Sequence, residues 1–243
     1  AGGSLESDAW TIMGYMGYSV GASGHVDFIV GYTDSDYDQQ RTVRYSIQAV
    51  DPAMGFAAIP GVFTSVNQNA LSETESDEVF VDVVIGNDWS FDTTILGGYV
   101  GAAYGDTTID GFRERMSNPS APGSGLGLFI DEQNPESLIA KVGSTLTFTL
   151  PMSFGNLYPY VMGEYLHEFK NDNDNITGGF VDDSNAFRFS LSTDAPDRNF
   201  FNVGAGVIAP LSDEGSMFLR YQGLVGYEDL TLHVVELGIK LGF

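Results

Sequence analysis

Three features of this 243-residue sequence predict an all-β chain folded as an antiparallel transmembrane β-barrel of outer-membrane type. Apolar and polar residues alternate with a period of two through about nine runs, and helical periodicity is almost absent. Short and long connections between the runs alternate. The last run, VELGIKLGF (residues 235–243), ends on Phe243 with no polar tail.

The runs follow in order. The first four begin near Trp10, His25, Glu78 and Thr94. In SLIAKVGSTLTFTL one face carries Leu138, Ala140, Val142, Ser144, Leu146, Phe148 and Leu150, and the other carries Lys141, Gly143, Thr145, Thr147 and Thr149. In NLYPYVMGEYLHEF, Glu164 and Glu168 face away from Val161, Tyr165 and Phe169. FFNVGAGVIAP sets Phe201, Val203 and Val207 against Asn202, Gly204 and Gly206, and MFLRYQGLVGY sets Met217, Leu219 and Tyr221 against Arg220 and Gln222. In the final run Val235, Leu237, Ile239, Leu241 and Phe243 point one way and Glu236, Gly238, Lys240 and Gly242 the other. Such strands fit either a soluble sandwich or a barrel with one face in lipid.

The connections favour the barrel. Read backward from Phe243, and the last hairpin apart, short links such as SDEG, MSFGN, FDTT and GASG alternate with long segments at about 170–198, 112–136 and 46–77. Barrels of this kind have tight turns at one rim and long external loops at the other, whereas a sandwich has no reason to sort loops by parity. A closed barrel also explains the apolar end, because the last strand pairs on both sides and turns its outer side chains to lipid. Trp10, Tyr15, Trp89, Tyr99, Tyr158, Tyr160 and Tyr227 fall toward strand ends and are expected in interfacial girdles.

Composition narrows the partners. With 33 acidic against 10 basic residues and a net charge of −23, the chain lacks the clustered Lys and Arg that nucleic-acid binding needs. The absence of cysteine rules out a disulfide framework and thiol catalysis. The chain begins with Ala1 and no basic-then-apolar leader, which reads as processing or truncation.

Longer motifs carry a family resemblance. Phe243, with Leu241, Gly238 and Glu236 before it, resembles the C-terminal signal by which the barrel-assembly machinery recognises bacterial outer-membrane barrels. YPYVMGEYLHEFKND, then DRNFFNVGAGVIAPLSDEGSMFLRYQGLVG, then LGIKLGF resemble the C-terminal half of the autotransporter β-domain of type V secretion. GHVDFIVGYTDSDYDQQR, TTILGGYVGAAYGDTTIDGFRER and GLFIDEQNPESLIAKVG follow the same pattern upstream, so the resemblance covers nearly the whole chain. It implies a barrel of twelve strands with a helix threading the lumen and a secreted passenger before it. About nine strands would make this chain start at the family's fourth, with Ala1 at the outer surface. The expected explanation is a nick in a surface loop that leaves the earlier strands as a companion fragment, or an upstream segment outside the given sequence.

The charged residues on the polar face, Asp27, Asp82, Asp88, Lys141, Glu164, Glu168, Arg220, Glu236 and Lys240, are expected in the lumen, because a basic residue facing lipid at midplane costs roughly 2–4 kcal/mol. Asp34, Asp36 and Asp38, on one strand face, and Asp172 and Asp174 in NDNDN are the candidate metal ligands. They lack the EF-hand spacing, so a solvated acidic surface is the plainer reading, with divalent bridging to lipopolysaccharide as the functional one. His25, His167 and His233 lie on different runs and read as interfacial or structural. No nucleophile elbow, zincin motif or P-loop is present.

The expectation is one domain, residues 1–243, with no catalytic residues and no cofactor. It would act as an outer-membrane barrel that exports or displays an N-terminal passenger. The alternative is a passenger-free barrel acting as a pore or as a structural subunit of a surface complex.

Overall fold

The structure is a computed structural model and describes residues 2–55, 57–153, 155–170, 174–195, 197–212, 215–228 and 230–241. Its strands in chain order are β1 (Gly3–Val20), β2 (Gly24–Asp51), β3 (Ala57–Phe91), β4 (Thr94–Ile109), β5 (Phe112–Arg113), β6 (Arg115–Met116), β7 (Leu128–Ile130), β8 (Glu136–Phe148), β9 (Leu150–Met152), β10 (Gly155–Glu168), β11 (Asn175–Phe180), β12 (Arg188–Ser192), β13 (Asn199–Ser212), β14 (Gly215–Val225) and β15 (His233–Leu241). Nine of them form an antiparallel meander, β1-β2-β3-β4-β8-β10-β13-β14-β15, as the alternation predicts. Short turns close one end, and two of them rest on positive φ, at Gly21 (64°) and Asp92 (51°), a conformation that glycine and aspartate tolerate. Among the described residues no helix is long and apolar enough to cross a membrane.

Side chains alternate between two faces with opposite character. One is an apolar belt that includes Phe28, Val30, Val81, Val83, Ile85, Val100, Val142, Val161, Val203, Leu219 and Leu237, many of them exposed. On β3 the belt runs from Val79, opposite Tyr32, to Trp89, about 33 Å of strand at ~3.3 Å per residue. A tilt of roughly 45° turns that into about 23 Å of height, close to the apolar band of an outer-membrane barrel. Trp10, whose ring centroid lies 5.5 Å from that of Tyr32, and Trp89 mark its two margins.

The long connections carry regular structure, and the girdle expectation needs correction. The long connection at 46–77 is built as a hairpin: β2 and β3 keep one register from Gly24 opposite Asn87 to Gln48 opposite Phe63, and they turn through a 3-10 element at Pro52–Met54. The cause is a ladder that continues through Ser, Thr, Asn and Gln, residues that resemble a loop when counted by polarity. The segments 112–136 and 170–198 also hold regular structure, a second sheet in the order β12-β11-β7-β5. Finally, Tyr15, Tyr99, Tyr158 and Tyr160 occupy polar-face positions and not the girdle, because strand parity, and not closeness to a strand end, sets the face.

A small core sits above the belt. Val43, Val66, Ala70 and Met116 are buried together with Leu126 packed beside them, so the 116–126 segment lies against the hairpin. This is the face of β2 that carries Asp27, since Val43 lies an even number of residues along an unbroken ladder.

Candidate functional site

The polar face is the candidate site. Register places all nine of these charges, Asp27, Asp82, Asp88, Lys141, Glu164, Glu168, Arg220, Glu236 and Lys240, on this one face. Lys141 donates to Asp82, and Arg220 donates to Glu236 across β14 and β15. Tyr15 donates to Asp27 at 3.1 Å, with His25 Nε2 3.7 Å from the other oxygen of the same carboxylate. Tyr99 donates to Glu164 at 3.2 Å and Asn202 to the same carboxylate at 3.5 Å. Carboxylates from β2, β3, β10 and β15 thus line one wall, each with a donor beside it.

Glu168 differs from the rest. It is 4% exposed and accepts from Ser137 Oγ at 2.5 Å and from the backbone amides of Leu138 at 2.9 Å and Lys170 at 2.8 Å. Three donors make it an anchor for the outer end of β10, since each unpaired buried donor would cost about 1–3 kcal/mol.

Glycines opposite aromatic rings shape the face. Gly31 pairs with Phe80, Gly143 with Tyr99, Gly206 with Tyr160 and Gly238 with Phe218, and at each glycine an added Cβ would overlap the partner's ring. His25 lies over Gly86 in the same way. The rings therefore lie along the wall and not across the space in front of it. Gly238, read in the sequence as part of an assembly signal, makes one such seat; Glu236 is ion-paired, Leu241 ends β15, and Phe243 lies outside the described residues.

The candidate metal ligands lie elsewhere. Asp34, Asp36 and Asp38 occupy alternate positions on the outer side of β2, above the belt, opposite Asp77, Glu75 and Glu73 on β3 and Trp10, Asp8 and Glu6 on β1. The result is a flat acidic grid, and among the described residues no group of three or more His, Asp or Glu is arranged to hold a metal ion. Asp174 is exposed at the start of β11, and Asp172 lies outside the described residues. His167 and His233 are on the outer side, His167 Nδ1 at 2.8 Å from Asn199 Oδ1 and His233 Nδ1 at 2.9 Å from the hydroxyl of Tyr221.

The sequence gives no hint of one further feature, the anchor above the mouth. Arg41, on the inner side of β2, donates to both oxygens of Glu114 at 2.8 and 2.5 Å and to the Leu126 carbonyl at 3.1 Å. Its pKa is raised, chiefly by the bond to Glu114 and against desolvation. Gln68 holds the same segment through the Pro122 carbonyl at 2.8 Å and the Asn118 amide at 3.0 Å.

Comparison with known proteins agrees with this geometry. The translocator domain of the autotransporter NalP from Neisseria meningitidis aligns with a TM-score of 0.67 at 13% identity, over 99% of this chain and 69% of that one. The open form of the ferric-catecholate import receptor Fiu from E. coli K12 aligns with a TM-score of 0.44 at 11% identity, over 98% of this chain and 38% of the other. No curated protein matches the sequence. The family described as autotransporter beta-domain matches residues 1–222. With nine meandering strands, a polar inner wall, an apolar belt and that match, the chain belongs to the autotransporter β-domain family.

Proposed function

We propose that this domain sits in the bacterial outer membrane and gives an N-terminal passenger a route to the cell surface, where it can then anchor it. The observation that carries the reading is the inner wall. Glycine seats hold Phe80, Tyr99, Tyr160 and Phe218 flat, and charged groups keep the surface hydrated, so an extended chain could pass with little to grip it. The role is non-enzymatic and uses no cofactor, with export driven by assembly and by folding of the passenger outside. Residues 1–243 would supply nine strands of one wall, and three more strands, upstream or on a companion fragment, would join β1 to β15. Lipid and lipopolysaccharide would meet the apolar belt, and the assembly machinery would read the β15 end.

Narrowing the bore tests this. Replacing Thr145, Thr147 and Gln222 together by Trp should lower surface arrival of the upstream segment several-fold and leave a heat-modifiable barrel in the membrane. Undiminished arrival would overturn the reading.

A further inference from the structure

The chain has only ten cations, and Lys141, Arg220, Arg41, Lys170 and Arg188 each meet a carboxylate. Arg113 and Arg115 do not. Among the described residues neither guanidinium has a hydrogen-bond or ion-pair partner, although the chain carries 33 acidic residues. Both lie on the outer side of the ribbon. Glu114 between them reaches inward to Arg41, and Met116 is buried on the inner side, so alternation turns Arg113 and Arg115 outward. Register agrees, because Gln40, Leu71 and Arg115 stand side by side across β2, β3 and β6, one row above the outward pair Asp38 and Glu73. The two arginines line one recess of about 740 Å³ over that row.

Arg113 is also held in place. Across the second sheet it stands opposite Phe129, Phe129 opposite Gly179, and Gly179 opposite Arg188. The Phe129 ring lies over Gly179, where an added Cβ would come within 2.8 Å of it. The guanidinium carbons of Arg113 and Arg188 lie 5.1 and 5.3 Å from the ring centre. Arg188 is neutralised by Asp131. Arg113 is steadied by the ring and keeps its N–H groups open, the geometry that grips a phosphate or carboxylate with two parallel bonds.

Resting on the outer-membrane reading, we propose that Arg113 and Arg115 bind a phosphate- or carboxylate-bearing sugar of the lipopolysaccharide core. Height selects that occupant. From Val79 at the belt margin to Leu71, beside Arg115, is about 26 Å of strand at ~3.3 Å per residue, or roughly 19 Å of height at a 45° tilt. Acyl chains stand against the belt and their phosphates at its margin, so the attached sugars reach the recess. Side selects it too. The bore and its charged wall lie on the face that carries Asp27, and both arginines turn away from it. Glu6, Asp38 and Glu73 line the same recess and oppose a bare anion. The divalent cations that bridge lipopolysaccharide phosphates bring the matching charge.

Binding of purified lipopolysaccharide to the natural full-length protein in detergent, with magnesium present, provides the test. Lipopolysaccharide with its core should bind at least tenfold more tightly than lipid A, which lacks the core sugars. Arg113→Gln combined with Arg115→Gln should bring the two affinities within threefold of each other, with heat-modifiable migration unchanged. Leu71→Glu, which sets a carboxylate on the floor of the recess, should do the same with both arginines intact. Arg44→Gln, on the same outer side but bonded to Asn67 at 2.7 Å, should keep the tenfold preference. No preference for the core in the unmodified protein, or a preference that the double variant retains, overturns the inference. An acidic peptide that binds more tightly than the core form assigns the arginines to a protein partner and overturns it as well. Recovery of the full-length protein outside the outer-membrane fraction overturns the outer-membrane reading instead.

Discussion

Arg41 and Glu114 lie 73 positions apart in the sequence and are joined by two parallel hydrogen bonds, at 2.8 and 2.5 Å. The Glu114 side chain is 7% exposed and also accepts from the Leu128 amide at 2.8 Å, so this pair fastens the 112–130 segment to the inner side of the hairpin.

Removing the arginine leaves a buried carboxylate half satisfied. Arg41→Ala should cost about 2–3 kcal/mol of local stability, discounted from the fully buried case because Arg41 is itself partly exposed. Cleavage within 117–125 by added protease should then speed up by roughly 30- to 100-fold, at about 1.4 kcal/mol per tenfold. The heat-modifiable migration of the barrel should not change. Glu114→Gln should give a smaller effect.

Tyr99 and Gly143 make a second prediction. Gly143→Ala should push the ring off the wall and cost about 1–3 kcal/mol through overpacking. It should lower the unfolding midpoint in detergent and slow folding into vesicles. Adding Tyr99→Ala should remove most of the penalty that Gly143→Ala causes, a coupling that a double-mutant cycle reads directly. If the two changes add independently, the ring does not rest on the glycine.

The acidic grid predicts a gain from neutralisation. Asp36 faces Asp8 and Glu75 across its two ladders, and like charges directly opposite destabilise by a few tenths to about 1 kcal/mol. Asp36→Asn should therefore slow amide hydrogen exchange in 34–40 at low salt. The difference should vanish near 1 M salt, where the screening length is about 3 Å. Faster exchange in the variant would mean that the aspartate is held by an attractive partner.

What the sequence reveals depends on which property of a strand it encodes. Period-two alternation encodes faces, and so the single face shared by the charges from Asp27 to Lys240 and the nine-strand meander were legible. It does not encode cross-strand register, so the seating of Tyr99 on Gly143 is invisible in it, and a place near a strand end points Tyr99 to a girdle instead. The hairpin was hidden for another reason. Its inner row, Val43, Tyr45 and Ile47 opposite Gln68, Val66 and Thr64, is apolar only in part, and Arg44, Ser46, Ser65 and Asn67 on the other side lower the contrast to that of a loop. Arg41 and Glu114 carried no local signal, because their partnership arises only when two long connections meet above the wall.

The most direct measurement is protease shaving of intact cells that make the natural full-length protein, followed by detection of both the upstream segment and this domain. The account predicts that the segment preceding Ala1 is cut from the cell surface and that the wall strands β2–β4, β8, β10 and β13–β15 stay protected. An upstream segment cut only after the outer membrane is opened would contradict it.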